Sequence, residues 1–275
     1  DAEVIEAKIA WLPLIIGGDG VTAPFRPDGG NPEGKTVRWE VKVGIFVRLS
    51  KRITGKGQVV SVVMRRRAVA VLGDIEAFKC RMRLTSLREG MPEARTVVWL
   101  SDGGRGFQGV FRDLFSGYAQ GIPDFHHAAW NLWKGSRSWS DGRTEKARKQ
   151  SAAARKLLRS GKSKVVLREI KTALKSEELP DSVRKTLKNV VFYLETHIDH
   201  ISYGRYWDLG LPIGSGMVES ACKQLIQQRF KCVGMRWSED GFNNLLHLRL
   251  AWLTVATTNC LNRFAPPTRK YTQDN

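Results

Sequence analysis

Asp19, Asp102 and Glu219 are the carboxylates whose surroundings suit chemistry. Asp19 sits in Gly17-Gly18-Asp19-Gly20, directly after the apolar run Leu14-Ile15-Ile16. Asp102 follows Thr96-Val97-Val98-Trp99-Leu100-Ser101 and precedes Gly103. Glu219 lies in Leu211-Pro212-Ile213-Gly214-Ser215-Gly216-Met217-Val218-Glu219-Ser220-Ala221-Cys222-Lys223, a Gly/Ser turn running at once into a helix. The glutamate falls in that helix's first turn and Lys223 one turn later, on the same face. Two aspartates at strand ends and one helical glutamate, in a strongly basic chain, suit metal-dependent chemistry on phosphodiesters. In-line displacement at phosphorus uses two divalent ions about 3.5–4 Å apart. Mg²⁺ takes hard oxygen ligands and keeps several waters, so a few carboxylates on rigid elements suffice. Each acid also has an ordinary reading. Asp19 and Asp102 fit as turn residues beside glycine, and Glu219 as an acid complementing a helix N-terminus.

The elements that must carry these residues are visible as patterns. Val37, Trp39, Val41, Val43, Ile45, Val47 and Leu49 alternate with Arg38, Glu40, Lys42, Gly44, Phe46, Arg48 and Ser50. That is a long strand with one apolar face. A turn at 54–57 and the run Val59 to Met64 make a hairpin with it. Residues 28–34 read as a loop, 74–89 as a helix, Thr96 to Leu100 as a short buried strand, Phe107 to Tyr118 as a helix and Ile122 to His126 as another short strand. The first half is therefore three strands, antiparallel, followed by strand–helix–strand. From Ala128 to about His200 the periodicity is helical, with Val183, Leu187, Val190 and Leu194 on one stripe. Helices from near Gly216 to about Lys231 and from about Gly241 to Val255 complete the pattern, and the tail after Phe264 reads as extended or disordered.

Charge restricts the partners. The 275 residues carry a formal net charge of +18. Residues 131–190 hold 17 Lys or Arg against 6 Asp or Glu, a net of +11, which is more than half of the excess. Such clustering favours a polyanion, because each cation meeting a phosphate releases a condensed counterion. Trp130, Trp133 and Trp139 interleave with Lys134 and Arg137; the pattern suits single-stranded or distorted DNA, but tryptophans anchoring the segment in a core are the reading preferred, since Trp is usually highly buried. The four cysteines show no CxxC spacing, which reads as reduced, partly buried thiols in a cytoplasmic protein. The run Ile9–Ile16 is short and broken by Pro13, so no membrane span or signal peptide is expected.

The block from Leu211 to Lys223, with Gln227-Gln228-Arg229-Phe230-Lys231 and Gly234-Met235-Arg236-Trp237-Ser238, closely resembles the C-terminal catalytic block of bacterial insertion-sequence transposases of the ISKra type, which are DDE enzymes. Gly18-Asp19-Gly20-Val21 resembles that family's first aspartate block and Leu100-Ser101-Asp102-Gly103-Gly104 its second. Asp124-Phe125-His126-His127 resembles the segment on the following strand. In order, these blocks span about residues 12 to 255. The resemblance implies an α/β, RNase H-like mixed sheet, three antiparallel strands then parallel ones, flanked by helices, with an all-helical insertion before the glutamate helix. It implies that Asp19, Asp102 and Glu219 bind two Mg²⁺ (or Mn²⁺) ions and catalyse DNA cleavage and strand transfer. The expected organisation is core at 1–127, basic insertion at 128–205, core helices at 206–262 and tail at 263–275. Family members carry a DNA-binding region before the core, and the start at Asp1 suggests that such a region is missing here.

Lys223, Arg229, Lys231 and Arg236 form a basic strip for DNA, with Trp237 positioned to stack on a base; Lys223 equally serves as the partner of an intrahelical ion pair with Glu219. Asp124 and His127 are accessory candidates, for positioning DNA or supporting the metals, or else strand-end residues that pack and hydrogen-bond. The expected partner is DNA, bound by a homo-oligomer, without a membrane. A structure-selective nuclease on the same fold, and a DNA-binding relic with an unassembled site, fit the same residues.

Overall fold

The computed structural model describes residues 7–27 and 34–264; for Ala7, Lys8, Arg105 and residues 254–264 it describes the backbone alone. In chain order the elements are α1 (Ala7–Ala10), β1 (Leu14–Phe25), β2 (Val37–Ile53), β3 (Val59–Leu72), α2 (Ile75–Arg88), β4 (Val97–Ser101), α3 (Arg105–Val110) continuing as a π-helical turn (Phe111–Phe115), and β5 (Ala119–Pro123). Then come α4 (Phe125–Trp139), α5 (Glu145–Arg159), α6 (Ser163–Ala173), α7 (Asp181–Thr196), α8 (Tyr203–Asp208), α9 (Gly216–Cys222) with a π-helical continuation (Lys223–Gln227), α10 (Gln228–Phe230) and α11 (Glu239–Phe264). The expected loop at 28–34 and the tail after Phe264 lie outside the described residues, Gly34 excepted.

The five strands form one sheet in the order β3-β2-β1-β4-β5. β2 and β3 pair antiparallel, and β4 and β5 pair parallel. Three antiparallel strands followed by parallel ones, flanked by helices, make this an RNase H-like fold. The parallel pair needs a crossover, supplied by α3 and its π-helical turn. β4 is buried at every position, as a strand covered on both faces must be.

The chain divides into two compact units. Residues 1–15, 20–96 and 221–275 form the first; 16–19 and 97–220 form the second, so the middle of β1 belongs to the second.

In the first unit the β2–β3 turn closes on Thr54, whose N–H donates to Gln58 O at 2.8 Å, while Gly57 takes φ +74°. The period-two reading of β2 predicts Arg48 on the polar face. Instead residues 43–48 are buried on both faces, and the register shifts between Arg48 and Leu49, a bulge. Arg48 is fully buried and donates to the carbonyl oxygens of Leu12 (2.5 Å), Gly90 (2.6 Å) and Glu89. The buried Glu89 carboxylate, at the C-terminus of α2, binds Arg65 at 2.8 Å and Arg67 at 2.5 Å, both from β3. An ionic network thus takes the place expected of solvent. Phe25, Trp39, Phe230 and Phe242 supply aromatic core; Phe25 stacks on Trp39 with centroids 4.5 Å apart.

In the second unit α4, α5, α6 and α7 pack through Leu132, Leu158, Val166, Leu187, Val190 and Leu194, all buried. The valine–leucine stripe of 183–194 faces inward as its spacing requires. Two of the three tryptophans are not core anchors: Trp130 and Trp139 remain about half exposed, at 50% and 46%, while Trp133 is half-buried. Of the described cysteines, Cys80 and Cys232 are exposed and Cys222 is buried, all as free thiols. Among the described residues no helix is long and apolar enough to cross a membrane.

Candidate active site

Asp19 does not follow its strand, as the apolar run suggests, but sits within it, since β1 continues to Phe25. Gly18 beside it is buried, and a Cβ there would lie 2.8 Å from Phe107 Cδ1 and 3.2 Å from Trp99 Cη2. Glycine lets these two rings press against the backbone next to the half-buried Asp19.

Asp102 leaves the end of β4 directly. Its Oδ1 accepts the Gly104 N–H at 2.7 Å, an Asx-type turn that starts the crossover. Gly103 takes φ +84°, where a Cβ is strained, and one there would also meet His197 Nε2 at 3.1 Å. The Asp-Gly-Gly sequence therefore has a geometric reason: the first residue turns its carboxylate back, the second reverses the chain over a histidine, and α3 starts after the third.

Glu219 is placed by the turn before its helix. The Ser215 carbonyl accepts the N–H of Val218 (2.7 Å) and of Glu219 (3.0 Å), and Ser215 Oγ donates to Glu219 Oε1 at 3.1 Å. Ser215 itself is held from the other side, because its N–H donates to Asp124 Oδ2. Asp124 caps α4 as well: its Oδ1 accepts the His127 N–H at 2.6 Å. Asp124 is only 2% exposed, and each of its oxygens is engaged by a backbone N–H. The expected strand at 122–126 ends at Pro123, because Asp124 begins a helix, so His126 and His127 stand in the first turn of α4. Asp124 N–H to Ser101 O (2.8 Å) and Phe125 N–H to Ile213 O (2.8 Å) complete the stitching among the end of β4, the start of α4 and the Gly-Ser turn.

These elements surround a cleft of about 320 Å³. Asp19, Asp102 and Glu219 line it together, although they come from β1, the end of β4 and α9. Asp124 and Ser215 form part of its wall, and His126, His127 and Trp130 enter from α4. All of these residues belong to the second unit. Four carboxylates in one cleft contrast with the chain's charge of +18.

Tyr193 and His197 pack behind this wall, their rings 4.8 Å apart, and Tyr193 lies 6.1 Å from the ring of His127. Burial pushes the Tyr193 phenol well above its ordinary range, and the charges of Asp124 and Asp102 add to the effect. Burial, with His200 and His127 nearby, holds His197 below the ordinary histidine value. Both groups are thereby kept neutral at neutral pH. Sequence reasoning missed this layer: Tyr193 and His197 follow each other on one helical face, but nothing local shows what that face meets.

The other site candidates lie in the first unit. Lys223, Arg229, Lys231 and Arg236 are all exposed. Lys223 opens the π-helical turn, which ends the regular spacing just after Glu219. Arg236 donates to Gly34 O at 2.8 Å, and the Arg229 guanidinium lies 6.0 Å from the centroid of the Trp237 ring. Trp237 is half-buried; its indole N–H donates to Phe230 O at 3.1 Å and its ring packs on Phe230 with centroids 5.0 Å apart. Its packing gives it a structural role in the aromatic core.

Carboxylate oxygens alone form a hard donor set, which fits Mg²⁺ or Mn²⁺ better than a thiophilic metal. The geometry is looser than the chemistry. Among the described residues no three His, Cys, Asp or Glu side chains are grouped closely enough to hold an ion. Asp124, with both oxygens occupied by backbone donors, serves the wall rather than the donor set.

No protein-family model matches the chain, and no curated protein matches it. Among solved structures it is similar to the Drosophila P element transposase strand transfer complex, at 10% identity over 94% of this chain and 67% of that one, with a TM-score of 0.30.

Proposed function

We propose that the cleft is the active site of a DDE transposase of the ISKra type, cleaving DNA strands and joining the resulting 3′ ends to target DNA. The observation that carries this reading is that the carboxylates of Asp19, Asp102 and Glu219, remote in sequence, line one cleft. The RNase H-like sheet supplies the rigid strands that two of them need.

Asp19, Asp102 and Glu219 would hold the divalent ions, and the Ser215 hydroxyl, on Glu219 Oε1, leaves the other carboxylate oxygen of Glu219 for that role. Bound there, the ions would activate the attacking water or 3′-hydroxyl and stabilise the leaving oxygen. The chain's own residues do the positioning. Asp102 is preset by its bond to Gly104 N–H, and Glu219 by Ser215, which Asp124 holds in turn. The working form is an oligomer assembled on transposon ends in the bacterial cytoplasm.

The test is a nicking and strand-transfer assay with Mg²⁺ or Mn²⁺, using plasmid DNA and a labelled oligonucleotide carrying a free 3′-hydroxyl. Wild-type protein should cut and join; Asp19→Asn, Asp102→Asn and Glu219→Gln should do neither while still binding DNA. Cutting without joining would identify a nuclease. Undiminished cutting by any of the three variants would remove that residue from the site.

A further inference from the structure

A second concavity, of about 470 Å³, runs along α5 in the second unit. Arg148, Ser151, Arg155 and Arg159 recur at helical spacing along its floor, Lys156 widens it, and Trp133 of α4 forms the opposite side. Among the described residues no carboxylate lines it. Two of the guanidinium groups are held over aromatic rings: Arg155 lies 5.5 Å from the centroid of Phe125, and Arg159 lies 4.6 Å from that of Trp207. Stacking fixes the planes of these cations, and leaves their N–H edges for an anion.

The groove is tied to the acidic cleft through α4. Trp130 lines the cleft and Trp133 the groove, one helical turn apart. Phe125, which supports Arg155, directly follows Asp124 of the cleft wall. From Arg148 to Arg159 the helix rises roughly 16 Å, comparable with about five nucleotides at roughly 3.4 Å each along a strand. A polyanion approaching the four carboxylates of the cleft is repelled there, and needs a cationic surface to hold its flank.

We infer that this groove is a binding site for a nucleic-acid strand, gripping the phosphates that flank the bond presented to the cleft. The direction of the strand rests on the proposed function; the existence of the site does not. Arginine suits phosphate because its planar fork donates two parallel hydrogen bonds. The half-buried Trp133 offers a face on which a base of any sequence can stack. Recognition is therefore of backbone and single-stranded bases, without sequence preference.

The experiment measures fluorescence anisotropy of a labelled single-stranded DNA of about 20 nucleotides, without divalent ions, from about 50 to about 200 mM salt. The protein is the full chain, its fold checked by circular dichroism. Arg148→Gln with Arg155→Gln should weaken binding about tenfold or more and lower the salt slope by about 1.4, at ~0.7 per lost phosphate contact. Lys185→Gln with Lys188→Gln removes equal charge from α7 and should change affinity by less than about threefold. Trp133→Leu should weaken binding while leaving the slope unchanged, since stacking releases no counterion. Equal effects of the two double variants, or competition by polyglutamate as strong as by unlabelled DNA, would overturn the site in favour of a diffuse polyanion surface. If the arginine pair binds and cuts like wild type, the groove is refuted and the cleft assignment survives. If it loses binding while wild-type protein neither cuts nor joins, the reverse holds.

Discussion

Asp124 holds Ser215 across 91 residues of sequence, its buried carboxylate accepting the serine N–H. Ser215 then caps the Glu219 helix through its carbonyl and reaches Glu219 through its hydroxyl. One buried acid thus sets the position of another that lines the cleft.

Asp124→Asn should act through this relay. The amide can keep the bond to His127 N–H with its oxygen, but then presents N–H to N–H at Ser215. Stability should fall by about 1–3 kcal/mol, the penalty for a buried group left without a partner, read by urea unfolding. If the cleft cleaves DNA as proposed, cleavage should drop because Glu219 is misplaced. Ser215→Ala keeps the backbone bond, so it should cost about 1 kcal/mol or less, with a smaller loss of rate.

Metal binding provides an assay independent of turnover. If the three acids hold divalent ions, Mg²⁺ or Mn²⁺ at about 100 times its dissociation constant should stabilise the fold by about 2.7 kcal/mol. Asp19→Asn and Asp102→Asn should abolish that increment, measured by thermal unfolding with and without the ion. A wild-type protein insensitive to both ions would speak for a binding-only relic.

Acidification should weaken the fold through His197. Its folded-state pKa lies below 6.5, chiefly because it is buried. Between the two values the unfolded chain binds the extra proton, so stability falls as the pH drops through 6.5 toward the folded value, and is fully present above 6.5. His197→Gln should flatten the dependence between about pH 7.5 and pH 5, measured by denaturant unfolding; an unchanged slope would place its origin elsewhere.

Glu89→Ala should be among the most damaging changes in the first unit. It removes the buried carboxylate that both Arg65 and Arg67 bind. Breaking such a pair from one side costs about 3–5 kcal/mol. Calorimetry would show it as a lowered Tm, whereas the surface change Lys149→Ala should leave Tm nearly unaltered.

Much of this molecule was legible locally. The alternation of Val37 to Leu49 specifies a strand, the stripe of Val183 to Leu194 specifies a buried helix face, and Gly214-Ser215-Gly216 specifies a turn into the helix bearing Glu219. These follow from steric and capping preferences that act within a few residues. Asp102 at the end of β4 is legible for the same reason. What required the tertiary structure were properties that depend on a distant partner. Arg48 reads as a solvent-facing residue until the carbonyls of Leu12, Glu89 and Gly90 are brought round it. Asp124 reads as an accessory candidate beside the three acids until Ser215 and His127 occupy both its oxygens. The spacing of Trp130 and Trp133 does not show that one turn of α4 separates an acidic cleft from a cationic groove. Side-chain period is set by the backbone's own geometry, so sequence encodes it directly; the dielectric and hydrogen-bond partners around a charge are set by whatever the fold delivers from elsewhere in the chain.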